Sequence, residues 1–175
     1  MNKDFWKSKN VVVTGGASFI GSHLSEELIN LDVNLKIIDN FTSGKRENIS
    51  SISDKCEVID GDCRSLESML ENTKDCDVIF HLAAAHGGRG YIATHPVECS
   101  NNLVIDSTVF KAAHLNKVDR VCFASSGCVY PMDLQVKPID GKYKLTIRTL
   151  LATKPVMSHA KHAVCQHNKD LLCKL

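Results

Sequence analysis

Short apolar runs alternate with stretches of helical period along the first 130 residues. Asn10-Val11-Val12-Val13-Thr14 is a β-branched run of the kind found in buried parallel strands. A glycine-rich turn follows. Residues 19–30 then read as a helix, with Ile20, Leu24, Leu28 and Ile29 on one face and His23, Glu26 and Glu27 elsewhere. A second strand is predicted over 34–39, a polar loop over 40–50, a third strand over 57–60 and a helix near 66–71. Residues 77–82 read as strand four, 86–90 as a glycine-rich loop, 97–116 as a long helix and 121–125 as strand five.

Strands that are almost continuously apolar must be covered on both faces, and strands alternating with helices must run parallel. With right-handed crossovers the expected fold is α/β, a doubly wound parallel sheet of Rossmann type. From Pro131 the pattern fades: 142–151 fits strand or helix, and 154–175 is rich in His, Lys and Cys with a weak helical stripe. The expected organisation is a domain over 1–135 and a divergent remainder over 136–175.

The chain's 175 residues suffice for one domain with its own core. Its 21 basic and 20 acidic residues leave a net charge of +1, which argues against a nucleic-acid partner. No apolar run approaches the ~20 residues needed to span a bilayer, and the polar start with Lys3, Lys7 and Lys9 is no signal peptide. A cytoplasmic protein without a membrane partner is expected. The eight cysteines include no C-x-x-C pair and read as reduced, small core residues. In the tail, His159, His162, Cys165, His167 and Cys173 are zinc-ligand types, but their spacing matches no standard finger, and no metal site is expected.

The chemistry starts where strand one becomes the first helix, in Val13-Thr14-Gly15-Gly16-Ala17-Ser18-Phe19-Ile20-Gly21. A glycine turn there sets backbone N–H groups and the positive helix end against a pyrophosphate. Asp39 ends strand two, 18 residues beyond Gly21. A carboxylate at that place accepts hydrogen bonds from ribose hydroxyls and repels a 2′-phosphate, which favours NAD over NADP. Lys45 and Arg46 nearby leave NADP open.

With Asp39-Asn40, Gly61-Asp62, His81-Leu82-Ala83-Ala84, Asn101-Asn102 and Ser125-Ser126-Gly127-Cys128-Val129-Tyr130 in the same order, the chain resembles the extended short-chain dehydrogenase/reductases. These are the NAD-dependent nucleotide-sugar epimerases and dehydratases. The resemblance implies that Gly15, Phe19 and Ile20 line the pyrophosphate within the turn that runs to Gly21. It implies that Asp39, followed by Asn40, holds the ribose, that Asp62 and Cys63 hold the adenine, and that Leu82, Ala83 and Ala84 border the cofactor's centre. Where this chain has Ser18 the family usually has glycine, and a Cβ there is expected to weaken cofactor binding rather than abolish it.

In the resembled family Ser126 would hydrogen-bond the sugar hydroxyl being oxidised. Cys128 is similar to a cysteine of the GDP-mannose 3,5-epimerase and GDP-fucose synthase branch that moves protons beside a keto group; its other reading is an inert buried thiol. Residues 86–92 look like that branch's substrate loop, with Gly88 and Arg89 as candidates for the sugar or its phosphate; Arg89 also reads as a solvated loop charge. The implied substrate is a nucleotide sugar, GDP-linked in preference to UDP-linked. A homodimer through the long helix is the family's habit.

The family's base is a tyrosine four residues before a lysine, but Tyr91, Tyr130 and Tyr143 are followed at that distance by His95, Leu134 and Ile147. The nearest positional echo, Cys165 followed by Lys169, has Cys in place of Tyr. The expectation is a truncated chain that lacks a substrate-binding domain. It is either the cofactor-binding part of such an enzyme or a non-catalytic nucleotide-binding fragment or paralogue.

Overall fold

A computed structural model describes residues 3–87 and 89–124. Five parallel strands form one sheet in the order β3-β2-β1-β4-β5. They are β1 (Asn10–Thr14), β2 (Asn34–Asp39), β3 (Glu57–Asp60), β4 (Val78–His81) and β5 (Arg120–Phe123). The helices are α1 (Lys3–Trp6), α2 (Phe19–Ile29), α3 (Leu66–Asn72), α4 (Arg89–Thr94) and α5 (Pro96–Leu115), with a short 3₁₀ turn at Arg46–Ile49. The chain lays β2 and β3 on one side of β1 and β4 and β5 on the other. The crevice between β1 and β4 is therefore the topological switch point, where sheets of this kind bind ligands.

Period-two alternation explains how one short strand serves two cores. Val11 and Val13 of β1 pack into a cluster with Leu28 of α2, Leu35 and Ile37 of β2 and Ile49 and Ile52. Val12 points the other way and joins Ile38, Met69 of α3, Ile79 of β4 and Val109 and Ala112 of α5. Trp6, the sole tryptophan, stacks on Phe80 of β4 with ring centroids 6.0 Å apart, so its fluorescence reports on the first cluster.

The expected doubly wound sheet is present, and the structure changes four local expectations. The polar start contains the single turn α1, held by the Trp6–Phe80 stack. The loop over 40–50 includes the 3₁₀ turn, whose Ile49 is buried. The glycine-rich loop passes directly into α4. The buried positions of α2 are Gly21, Ser22, Ser25 and Leu28, while Ile20 stands 69% exposed. The first turn of α2 lies so close to the glycine turn that only small residues fit its inner face, which displaces the apolar stripe expected from periodicity. The 135/136 boundary lies outside the described residues.

Candidate functional site

The glycine turn is held open for a ligand by its own backbone. Gly15 has φ +71°, a left-handed conformation suited to glycine. A Cβ on Gly15 would stand 2.8 Å from the Ala83 nitrogen, so the turn and the end of β4 touch back to back. Ser18 caps α2 with extended backbone (φ −75°, ψ 172°), a conformation any residue adopts, so its side chain brings no strain. Its hydroxyl donates to the Gly15 carbonyl at 2.7 Å and accepts the Gly21 N–H at 3.2 Å. The amides of Phe19 and Ile20 lie in the first turn, where no intrahelical acceptor exists and the helix carries partial positive charge.

Asp39 does two things at once. It is 6% exposed. One carboxylate oxygen accepts the Ala17 N–H of the glycine turn at 2.9 Å, and the other accepts the Phe41 N–H at 2.9 Å. Each oxygen keeps lone-pair capacity for a further donor such as a ribose hydroxyl. Of the two cations that leave NADP open, Arg46 is engaged elsewhere: its guanidinium lies 2.8 Å from Asp60 and 4.0 Å over the Phe41 ring.

At the end of β3, Asp62 is gripped by Arg64, whose Nε lies 3.0 and 2.9 Å from the two carboxylate oxygens. The Arg64 side-chain hydrogen bonds hold the Asp62 carboxyl below its ordinary range. Cys63 is buried beside it, and burial, reinforced by the charges of Asp62 and Asp39, pushes its thiol up to about 12. Burial likewise lifts Cys76 to about 11. A thiol whose folded value is raised stabilises the fold fully below its unfolded value near 9.0, and that contribution fades as pH rises through the folded value.

Stability measured by urea unfolding through Trp6 fluorescence should therefore be level to about pH 8.5 and fall by roughly 4–5 kcal/mol towards pH 11, with similar shares from the two thiols. The double variant Cys63→Ala/Cys76→Ala should flatten that fall. An equal slope in the variant would refute the assignment to these thiols.

A cavity of about 450 Å³ opens at the carboxyl ends of the strands. It is bordered by Gly15 and Ser18 of the turn, Asp39 and Asn40 after β2, Asp62 and Cys63 after β3, and Leu82, Ala83 and Ala84 after β4. The structure thus brings together nine of the residues singled out from the sequence. Phe19, Ile20 and Gly21 do not line it: the Phe19 and Ile20 side chains are 78% and 69% exposed, and Gly21 lies against the backbone of Gly15 and Gly16. Arg89 is the first residue of α4. Gly88, Ser126 and Cys128 lie outside the described residues, as do the tail histidines and cysteines.

The far wall is formed by Tyr91 of α4, which falls in the expected substrate loop, and by Asn101 of the Asn101-Asn102 motif with Glu98 and Ile105 of α5, for which no role was expected. Positions 98, 101 and 105 share one helical face at the spacing of a core stripe, and the polar Glu98 and Asn101 on it are the sign that it borders a site. Among the described residues no group of three or more His, Cys, Asp or Glu side chains could hold a metal ion. No helix among them is long and apolar enough to cross a membrane.

The donor set suits a dinucleotide. A buried carboxylate with spare acceptor capacity stands at the ribose position, a glycine turn abuts β4 without side chains between, and an 11-residue helix directs its amino end to the turn.

Comparison with known proteins gives the same picture. Residues 11–170 match the NAD dependent epimerase/dehydratase family. The chain is 31% identical over 145 residues to GDP-mannose 3,5-epimerase of Arabidopsis thaliana, covering 81% of this chain and 38% of that protein. It is 34% identical over 122 residues to UDP-N-acetyl-alpha-D-glucosaminuronate decarboxylase of Bacillus cytotoxicus, covering 70% and 38%. Among solved structures it is similar to UDP-N-acetylglucosamine 4-epimerase from Methanobrevibacter ruminantium in complex with UDP-N-acetylmuramic acid. There the TM-score is 0.71 and the identity 31%, covering 94% of this chain and 50% of that one. The chain spans well under half the length of these two curated relatives.

Proposed function

The chain belongs to the NAD-dependent epimerase/dehydratase family, and from that membership we propose that it forms the NAD-binding part of a cytoplasmic nucleotide-sugar epimerase or dehydratase. The observation that carries the proposal is Asp39: one buried carboxylate ties down the glycine turn and faces the cavity where a ribose would lie. Bound NAD supplies a hydride acceptor for a sugar carbinol.

The chain's own residues supply the rest. The turn amides hold the pyrophosphate, Asp39 accepts the ribose hydroxyls, and Asp62 and Cys63 border the adenine. Leu82, Ala83 and Ala84 exclude water from the centre of the cofactor. Within such an enzyme Ser126 would hold the sugar hydroxyl, and Cys128 would move a proton at the carbon beside a keto group, where the C–H bond is acidified. Gly88 and Arg89 contact the nucleotide sugar, for which a GDP-sugar is preferred. The likeness to GDP-mannose 3,5-epimerase supports that preference, while the UDP-sugar relatives keep the UDP class in the test. A homodimer is part of the proposal, supported by the exposed Val97, Leu103 and Val104 on α5.

Because no tyrosine in the sequence precedes a lysine by four residues, we propose further that this chain binds NAD without turning over sugar by itself. Titration calorimetry with NAD, followed by incubation with GDP-mannose and UDP-glucose under chromatographic detection, tests both parts. NAD binding without conversion is expected. Absence of NAD binding would overturn the proposal, and conversion of either sugar would overturn its non-catalytic part.

A further inference from the structure

A chain of hydrogen bonds runs through the wall of the cavity, and the proposed function leaves its buried members without a role. Thr14, the last residue of β1, is the register partner of His81, the last residue of β4. Thr14 Oγ1 lies 2.7 Å from His81 Nδ1. The other ring nitrogen, Nε2, lies 3.2 Å from Asp106 Oδ1 on α5. The His81 side chain has no exposure and packs against the rings of Phe110 and Phe123, which also touch each other. Thr14 Oγ1 also lies 3.3 Å from the nitrogen of Ala83, which borders the cavity.

With the imidazole neutral, these contacts fix one set of donors. The Asp106 carboxylate only accepts, so Nε2 carries the single ring proton. Nδ1 is then an acceptor, and the Thr14 hydroxyl donates to it. The hydroxyl oxygen is left to accept the Ala83 N–H. One helical turn earlier on α5, Asn102 grips the same segment directly: its Nδ2 donates to the Ala85 carbonyl at 2.9 Å and its Oδ1 accepts the Ala85 N–H at 2.7 Å. Asn102 and Asp106 are four residues apart and share a face. The helix α5 therefore holds the segment after β4 at two points, at Ala85 directly and at Ala83 through a buried ring.

We propose that Asp106 and His81 are positioning residues for the cofactor. Asp106 fixes the tautomer of His81, His81 orients the Thr14 hydroxyl, and Thr14 seats Ala83 against the glycine turn. Cofactor affinity is thereby set in part from α5, by residues that do not touch the cofactor. The inference rests on NAD occupying the cavity, as proposed above.

Asp106→Asn separates this role from packing. It keeps the shape of the side chain, but its amide can donate to Nε2 and so permits the opposite tautomer, with Nδ1–H directed at Thr14. The Thr14 hydroxyl proton must then find another acceptor, which reorders the hydroxyl beside Ala83.

The test uses the full chain, with NAD titration calorimetry, imidazole ¹⁵N NMR and Trp6 fluorescence as a check of folding. The wild type should show the Nε2–H tautomer at His81, and Asp106→Asn should show the Nδ1–H form or a mixture. The NAD dissociation constant should rise about 5- to 10-fold in Asp106→Asn and in Thr14→Val, which lacks the hydroxyl, while Thr14→Ser should stay within about 2-fold of wild type.

Unchanged affinity in folded Asp106→Asn and Thr14→Val, or Thr14→Ser as weak as Thr14→Val, would overturn the inference alone. Failure of every protein to bind NAD, wild type included, would overturn the cofactor assignment and this inference with it. If Asp106→Asn does not fold, the two Thr14 variants decide.

Discussion

Gly21→Ala is expected to destabilise the protein by about 3 kcal/mol or more and to weaken NAD binding at least ~100-fold. The sign is the opposite of the usual one, since within a helix alanine is favoured over glycine by about 1 kcal/mol. Here the added Cβ would stand 2.2 Å from the Gly15 carbonyl oxygen and 2.7 Å from the Gly16 Cα. Both neighbours are backbone, so no rotamer change relieves the contact. Either α2 moves away from the turn or the turn unfolds from its left-handed conformation at Gly15. Urea unfolding followed through Trp6 gives the first quantity and calorimetry the second. A Gly21→Ala protein as stable as wild type would show that the helix and turn do not pack this closely.

The second large effect is expected at Asp39, and the informative substitution is the conservative one. Both carboxylate oxygens accept backbone N–H groups, from Ala17 and from Phe41. Asparagine has one acceptor oxygen, so one of those amides would face another N–H donor in a buried setting. An unmet buried donor costs roughly 1–3 kcal/mol. Asp39→Asn should thus lose about 2 kcal/mol of stability with no ligand present and Asp39→Ala, which leaves both amides unmet, about 4 kcal/mol; both should bind NAD ~100-fold more weakly. An Asp39→Asn protein with wild-type stability would mean that the tie to Ala17 contributes little, whatever happens to affinity.

The sheet was legible because β1, β2 and β4 are largely apolar runs whose residues serve two cores at once, a demand that short β-branched stretches meet. What escaped the sequence was stabilised from outside the segment concerned. The turn α1 depends on Trp6 meeting Phe80 of β4, a partner far along the chain. The inner face of α2 was misplaced because periodicity ranks Ile20 above Ser22 and Ser25, whereas close approach to the glycine turn rewards small size. In the site, residues on strand ends were identifiable from motif order, since Asp39, Asp62 and Ala83 follow directly from strands. Of the wall built by α5 only Asn101 was, because Glu98 and Ile105 share with it the spacing of an ordinary core stripe. His81 was visible within His81-Leu82-Ala83-Ala84, yet its partners Thr14 and Asp106 lie on separate elements that only the fold unites.

The double engagement of Asp39 also bears on how this site can change over generations. The acid at the end of the second strand disfavours a 2′-phosphorylated cofactor, so a shift towards one calls for losing that acid. In this chain that same step would unfasten Ala17 and with it the turn that receives the pyrophosphate. The first mutation on such a path would lower affinity for both cofactors before it could favour either. A lineage carrying this arrangement is held to its dinucleotide unless another acceptor for the Ala17 amide arises first.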